Sequence, residues 1–203
     1  MPVRSRSTDK RERILAAAVK VFAAKGFYCA RVSDVAREAG VADGTIYLYF
    51  ESKEDLLRGL YEENMGKINE GVREIVDGDG PVLQKVSQFF EAWARFALDD
   101  PDLAEVLTVE IRESGKYMNE FAAPLFGEFL RHLVSLIDEG QAAGEFRTDV
   151  SPKTVARAMF GAMDELALAW VMSKRKWNLM GAGSEVLKIF LLGLKNPQLA
   201  TSD

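Results

Sequence analysis

The run Ser33-Asp34-Val35-Ala36-Arg37-Glu38-Ala39-Gly40-Val41-Ala42-Asp43-Gly44-Thr45-Ile46-Tyr47-Leu48-Tyr49-Phe50-Glu51-Ser52-Lys53-Glu54-Asp55 holds two short helical patterns on either side of one glycine. Ser33 reads as the N-cap of a helix through Ala39, because a serine hydroxyl accepts from a first-turn N–H; Val35, Ala36 and Ala39 then face inward and Gly40 ends the helix. Only Val41 and Ala42 separate it from a second short helix, about Asp43 to Phe50, in which Ile46 and Phe50 lie four apart on the inner face. Two short helices across a glycine-containing turn form a helix-turn-helix unit. Ser52-Lys53-Glu54-Asp55 reads as a capped start with acidic groups in the first turn, where the helix dipole favours them. A long helix is predicted from there to about Val76.

Upstream, Ile14, Ala18 and Phe22 with Leu15 and Val19 follow the i, i+4 spacing of one buried helix face over residues 8–25. Gly26 supplies the residue able to take positive φ beyond the last turn, and Phe27 is placed to close back on Phe22. Downstream, Asp77-Gly78-Asp79-Gly80-Pro81 is the clearest break. Helices are predicted beyond it at about 81–98, 101–114 and 117–142, with Pro124 kinking or dividing the last. Ser151-Pro152 starts a helix expected to continue to about Lys176, and a final helix covers about 184–195. There is no strand-like alternation of useful length and no internal repeat. The fold class is all-α, about nine helices: a three-helix helix-turn-helix domain over 1–52, then a helical ligand-binding and dimerisation domain over 53–203.

The 203 residues, 48% of them hydrophobic, are enough for a sizeable buried core. The basic start lacks the apolar stretch of a secretory signal, and no run approaches the ~20 apolar residues that span a bilayer, so the expected location is cytoplasmic with no membrane partner. One cysteine, Cys29, excludes an intramolecular disulfide, and one histidine, His132, leaves little from which to build a zinc site or a serine-hydrolase triad. The reading is therefore not an enzyme, with no metal and no cofactor. The net charge of −5 conceals an asymmetry: residues 1–53 hold 10 basic and 6 acidic groups, a net of +4, which leaves −9 for the remainder. A compact basic segment meets a phosphate backbone through local potential, within a screening length of ~10 Å.

With Ile46 and Phe50 turned inward, Gly44, Thr45, Tyr47 and Tyr49 occupy the other faces of the second short helix. The hydroxyls can donate to phosphate oxygens, the Gly44 backbone can approach closely, and Lys53 adds a positive charge one turn on. Packing of Tyr47 and Tyr49 within a small helical domain is the bland alternative. The basic arm at Arg4 and Arg6 is either a minor-groove contact or a solvated tail.

Val32-Ser33-Asp34-Val35-Ala36 followed by Gly40 to Leu57 resembles the TetR-family DNA-binding signature across residues 8–57. The resemblance implies that Ser33 anchors a phosphate, that Thr45, Tyr47 and Tyr49 meet backbone and groove, that Gly44 allows close approach, and that Lys53 grips phosphate. Ala42 stands where a hydroxyl cap is common, and Asp43, which phosphate would repel, is not read as a contact. The family implies a homodimer through the last two long helices and a roughly palindromic double-stranded DNA operator. The helix from Ser151 is apolar nearly all round, as is 184–195 with its Leu187, Ile189, Phe190, Leu191 and Leu194, which is the surplus that such a partner would cover.

Val109-Glu110-Ile111-Arg112-Glu113-Ser114, with Met159-Phe160-Gly161-Ala162-Met163-Asp164-Glu165 and Trp170-Val171-Met172, resembles the FadR-type branch of that family, repressors of fatty-acid degradation. The likeness implies a long-chain acyl-CoA effector, whose chain needs an apolar tunnel and whose phosphates need cations. Phe89, Phe90, Trp93, Phe96, Leu107, Phe126, Phe129, Met163 and Trp170 are the candidates for the tunnel. Arg112, Asp164 and Arg175, with Lys174 and Lys176, are the candidate polar contacts. An internal bridge from Arg112 to Asp164 or Glu110 is the structural alternative, since buried charge is costly unless paired. Two other functions stay open: a TetR-type regulator responding to another hydrophobic small molecule, and a helical acyl-CoA-binding protein without DNA function.

Overall fold

The computed structural model describes residues 6–111 and 116–195, and the side chains of residues 9–111 and 122–195. Helix α1 (Arg6–Lys25) buries Ile14, Leu15, Ala18, Val19 and Phe22 along the stripe its spacing dictates. It stops at Gly26, whose φ of +75° is a left-handed conformation that glycine adopts without a Cβ penalty. The Phe27 ring returns edge-on to Phe22 with centroids 5.4 Å apart, the closure expected from the sequence. Helices α2 (Val32–Ala39) and α3 (Asp43–Ile46) follow, then α4 (Lys53–Asp77), α5 (Val82–Asp99) and α6 (Pro101–Glu105). A π-helical turn, Val106–Glu110, continues directly from α6; α7 (Lys116–Ala142), α8 (Pro152–Met172) and α9 (Leu179–Leu194) complete the described chain.

By compactness the chain divides into two units, residues 1–65 with 101–123 and residues 66–100 with 124–203. In the first, α1 packs on α2, on α6 and on the π-helical turn. In the second, α9 packs on α5 and α8, and α5 on α8. Compactness cuts the chain elsewhere than the expected 1–52/53–203 division, because residues 101–110 bury Leu103, Ala104 and Val106 in the same unit as α1. Helix α4 contributes to both, with Leu56, Leu57, Leu60 and Tyr61 in the first unit and Asn69 and Val72 in the second.

Besides the shortened α3, four elements differ from expectation. The α2 cap is Arg31, not Ser33: the Arg31 N–H donates to the Asp34 carboxylate at 3.2 Å, so Asp34 begins the helix from inside and Ser33 lies exposed in its first turn. Helix α7 runs past Pro124 without a break. Side chains of α4 hold carbonyls on either side of that proline, Tyr61 Oη donating to Ala122 O in the first unit and Asn69 Nδ2 to Leu125 O in the second. Burial pushes the Tyr61 phenol up to about 12. Helix α8 ends at Met172 rather than Lys176, because Arg175 N–H returns to Trp170 O (2.8 Å) and Lys174 N–H to Val171 O (2.9 Å) as in a Schellman stop. Finally, α9 begins at Leu179, capped by Asn178 accepting from the Gly181 N–H; Gly181 and Gly183 hide its first turns from a propensity reading.

In the second unit the Lys85 ammonium, nearly fully buried, is satisfied by Glu139 at 3.1 Å and by Val76 O at 3.2 Å. Gly140 packs against Phe146 so closely that a Cβ built on it would stand 2.2 Å from the ring. Among the described residues no helix is long and apolar enough to cross a membrane.

Candidate DNA-binding surface and effector half

The second helix of the helix-turn-helix is shorter than its pattern suggests. Regular α-helix ends at Ile46, and Tyr49 N–H and Phe50 N–H both return to Ile46 O at 3.0 Å, so the segment tightens into turns. Ile46 and Phe50 are buried, at 1% and 4% exposure, as their spacing requires. Phe50 sits beneath the Arg11 guanidinium, 5.4 Å from its centroid, and against Gly59, where a Cβ would come within 2.8 Å of the ring. This anchor presents Tyr47 at 57% exposure, an exposed Gly44 with nothing within 4 Å of a built Cβ, and half-buried Thr45 and Tyr49. Ser33 is exposed on α2. Asp34 beside it is held below the usual carboxylate range by the hydrogen bond from Lys25, then by the Arg31 N–H and the Lys25 and Arg37 charges.

Lys53, expected to grip phosphate, turns its ammonium to the protein's own backbone. Its ammonium donates to three backbone carbonyls of the α1–α2 loop, Phe27 O (2.7 Å), Ala30 O (3.1 Å) and Tyr28 O (3.2 Å), and stands 4.6 Å from the centroid of the Phe27 ring. An ammonium has three donors, and all three are engaged. The same loop is held a second time: the Phe27 N–H donates to Glu110 Oε2 at 2.5 Å, and Glu110, 7% exposed, belongs to the π-helical turn. Among the described residues, then, Glu110 finds its partner in a backbone N–H of the same unit. The sequence offered no sign of this, since the two residues are 83 apart in the chain. Arg112, Arg4 and the Arg6 side chain lie outside the described residues.

In the second unit the structure joins part of the aromatic set. Ring contacts run from Phe90 to Phe89 (6.2 Å), Phe89 to Phe129 (5.0 Å), Phe129 to Phe160 (5.8 Å) and Phe160 to Phe126 (4.8 Å). Phe90 also borders, with Met163, Ala94, Met180, Gly183 and Leu187, a small cavity of about 30 Å³. Trp170 is committed to the α8–α9 connection, its indole N–H donating to Trp177 O at 3.0 Å. Trp93, Phe96 and Asp164 are half-buried on α5 and α8, while Leu107 belongs to the first unit. Lys174, Arg175 and Lys176 are exposed, and the first two hold left-handed φ values of 57° and 63°, which cost side-chain-bearing residues of order 1 kcal/mol or more each. A cleft of about 410 Å³ between the end of α4 and α5, lined by Glu74, Asp79, Glu91 and Arg95, contains none of the nominated residues.

A tightly turned second helix, anchored from beneath and offering hydroxyls outward from a basic N-terminal segment, defines a DNA-binding regulator of the helix-turn-helix class. Comparison with known proteins agrees. Residues 14–60 match the model of bacterial regulatory proteins of the tetR family, and residues 61–193 match that of the YsiA-like protein C-terminal region. The chain is 32% identical to the fatty acid metabolism regulator protein of Bacillus subtilis, over 91% of this chain and 95% of that one. Among solved structures it is similar to the fatty acid degradation regulator FadR from Bacillus halodurans (33% identity, TM-score 0.87, 92% of this chain and 97% of that one). It is likewise similar to FadR from Bacillus subtilis in complex with stearoyl-CoA (32%, TM-score 0.85, 90% and 98%). The chain belongs to the TetR family of transcriptional regulators, and is a regulator rather than an enzyme.

Proposed function

We propose that this chain is a cytoplasmic repressor of fatty-acid degradation genes that holds a roughly palindromic operator as a homodimer and is released from it by a long-chain acyl-CoA. The observation that carries the DNA side is the display of Tyr47, Gly44 and Thr45 on a segment pinned by buried Ile46 and Phe50. Tyr47, Tyr49, Thr45 and Ser33 take phosphate and groove contacts in this reading, and Gly44 allows close approach. Lys53 supports the surface from behind by fastening the 27–30 loop. The effector side rests on the FadR relatives, one of them solved with stearoyl-CoA bound. The aromatic series Phe89, Phe129, Phe160 and Phe126 suits the acyl chain, and the exposed Lys174-Arg175-Lys176 turn suits the phosphates.

The dimer reading is supported by Met172, Ile189 and Leu192, 74%, 70% and 69% exposed on or beside the last two helices. Along α8 the exposed positions Ala158, Gly161, Glu165, Ala169 and Met172 recur at helical spacing and are mostly small, which permits close helix approach. An obligate interface buries ~2,000 Å² or more, and two heads reading successive major grooves stand about 34 Å apart.

Release follows if the effector favours a conformer in which the start of α4 has shifted, because Lys53 then drags the loop that Glu110 also holds. The test is operator binding titrated with acyl-CoA of several chain lengths against free CoA. Long chains are expected to weaken binding 5- to 150-fold, the usual range of allosteric coupling, and free CoA to do little. Indifference to every acyl-CoA would remove the fatty-acid reading.

A further inference from the structure

We propose that Leu48 reads the methyl group of a thymine in the operator. Leu48 is 80% exposed, the most exposed large apolar side chain among the described residues. Its neighbours in exposure, Met172, Ile189 and Leu192, belong to the helical faces already assigned to a second copy; Leu48 stands apart from them, in the segment assigned to DNA. The proposal rests on that DNA-binding assignment and adds a contact of a different chemical kind.

Burial gives the direction. Ile46 and Phe50, four apart, are buried in the domain, while Gly44, Tyr47 and Leu48 are the positions of the same segment left exposed. Gly44 contributes no side chain and nothing lies within 4 Å of where its Cβ would be, so the backbone can come close to a groove at that point. Leu48, one turn on, then meets whatever lines the groove floor. Its isobutyl group has no donor or acceptor. Set against a guanine or adenine edge, or the cytosine amino group, it would strip water from a polar atom without replacing the hydrogen bond. The thymine C5-methyl is the one apolar group on a major-groove edge, and its burial against an aliphatic side chain is favourable. The flanking tyrosines fit the complementary task, with hydroxyls at the ends of long rigid side chains reaching for the backbone on either side.

The experiment uses the full-length protein and an operator recovered from a pool of random duplexes. Each thymine of the half-site is replaced in turn, symmetrically in both half-sites, by deoxyuridine, which differs only by the methyl group, and affinity is measured by fluorescence anisotropy at fixed salt. Wild type is expected to lose about fourfold per half-site at one position, about fifteenfold for the symmetric pair, the worth of one buried methyl group. Leu48→Ala is expected to bind the thymine and deoxyuridine operators equally at that position, and Leu48→Met to keep a preference. Both variants should melt as wild type does, because the side chain is exposed. Insensitivity to every deoxyuridine substitution overturns the proposal and leaves DNA binding standing, as does an unchanged thymine-to-deoxyuridine ratio in Leu48→Ala. Recovery of no operator from the pool overturns both.

Discussion

The two compact units use their interior polar groups differently. In the first, Lys53 and Glu110 both hold the 27–30 loop through backbone groups, a carboxylate on the Phe27 N–H and an ammonium on three carbonyls. In the second, Lys85 meets Glu139 and one carbonyl, and most of the remaining interior is phenylalanine and aliphatic packing. The contrast separates a unit that must hold one exact loop geometry from a unit that needs mainly volume. Backbone-directed polar contacts fix position, whereas apolar packing tolerates rearrangement at constant volume.

The largest expected effect lies in the apolar unit. Gly140→Ala places a Cβ 2.2 Å from the Phe146 ring, and calorimetry should register a loss of about 3 kcal/mol, with operator affinity of the folded protein little changed. The equivalent intrusion in the DNA-binding unit, Gly59→Ala against Phe50 at 2.8 Å, should cost less stability but more operator affinity, because buried Phe50 anchors the segment that carries Tyr47 and Tyr49. Equal effects on operator binding would erase the distinction between the units.

Next comes the loop. Glu110→Ala leaves the Phe27 N–H without its partner, and the melting curve should show a loss of about 2 kcal/mol; Glu110→Gln, which keeps an acceptor, should lose less than half of that. Lys53→Met should cost about 1.5 kcal/mol for the same class of reason. Its salt dependence sharpens the account. If Lys53 contacts phosphate in the complex, the slope of log affinity against log salt should fall by about one per head; if it only fastens the loop, affinity drops with the slope unchanged. The present geometry predicts the second outcome.

The contrast also explains how far the sequence could be read. The helix-turn-helix was legible because its signals are local: the Ile46/Phe50 spacing, Gly40 at φ +64°, and the Ser52 cap, whose hydroxyl accepts from the Asp55 N–H at 3.0 Å. The orientation of Lys53 was not legible, since an amphipathic lysine at a helix start serves phosphate or carbonyl equally well and only the Phe27–Ala30 loop decides. Glu110 enters the sequence reading only as a bridge partner for Arg112, whereas the structure sets it against a backbone N–H, which no residue type announces. The nine apolar side chains expected to line the tunnel look alike in sequence. Contacts separate Phe89, Phe126 and Phe129, which form a ring series, from Trp170, which is bound to Trp177 O.

The smallest predicted effect is a pH response. Burial lowers His132 below its ordinary value, against the pull of Glu128 and Asp77 toward higher values, and its Nε2 is sealed without a hydrogen-bond partner among the described residues. A base lowered in the fold takes up its proton more readily when unfolded, so stability should decline as pH falls below about 6.5. His132→Gln should flatten that decline in thermal melts between pH 7 and 5.

The measurement that bears most directly on the whole account is the affinity for long-chain acyl-CoA, taken once on the free protein and once on the operator complex. Linkage requires the operator to weaken acyl-CoA binding by the same factor that acyl-CoA weakens operator binding, so the two ratios should agree within error and exceed about fivefold. Identical acyl-CoA affinity with and without operator would contradict an effector-released repressor.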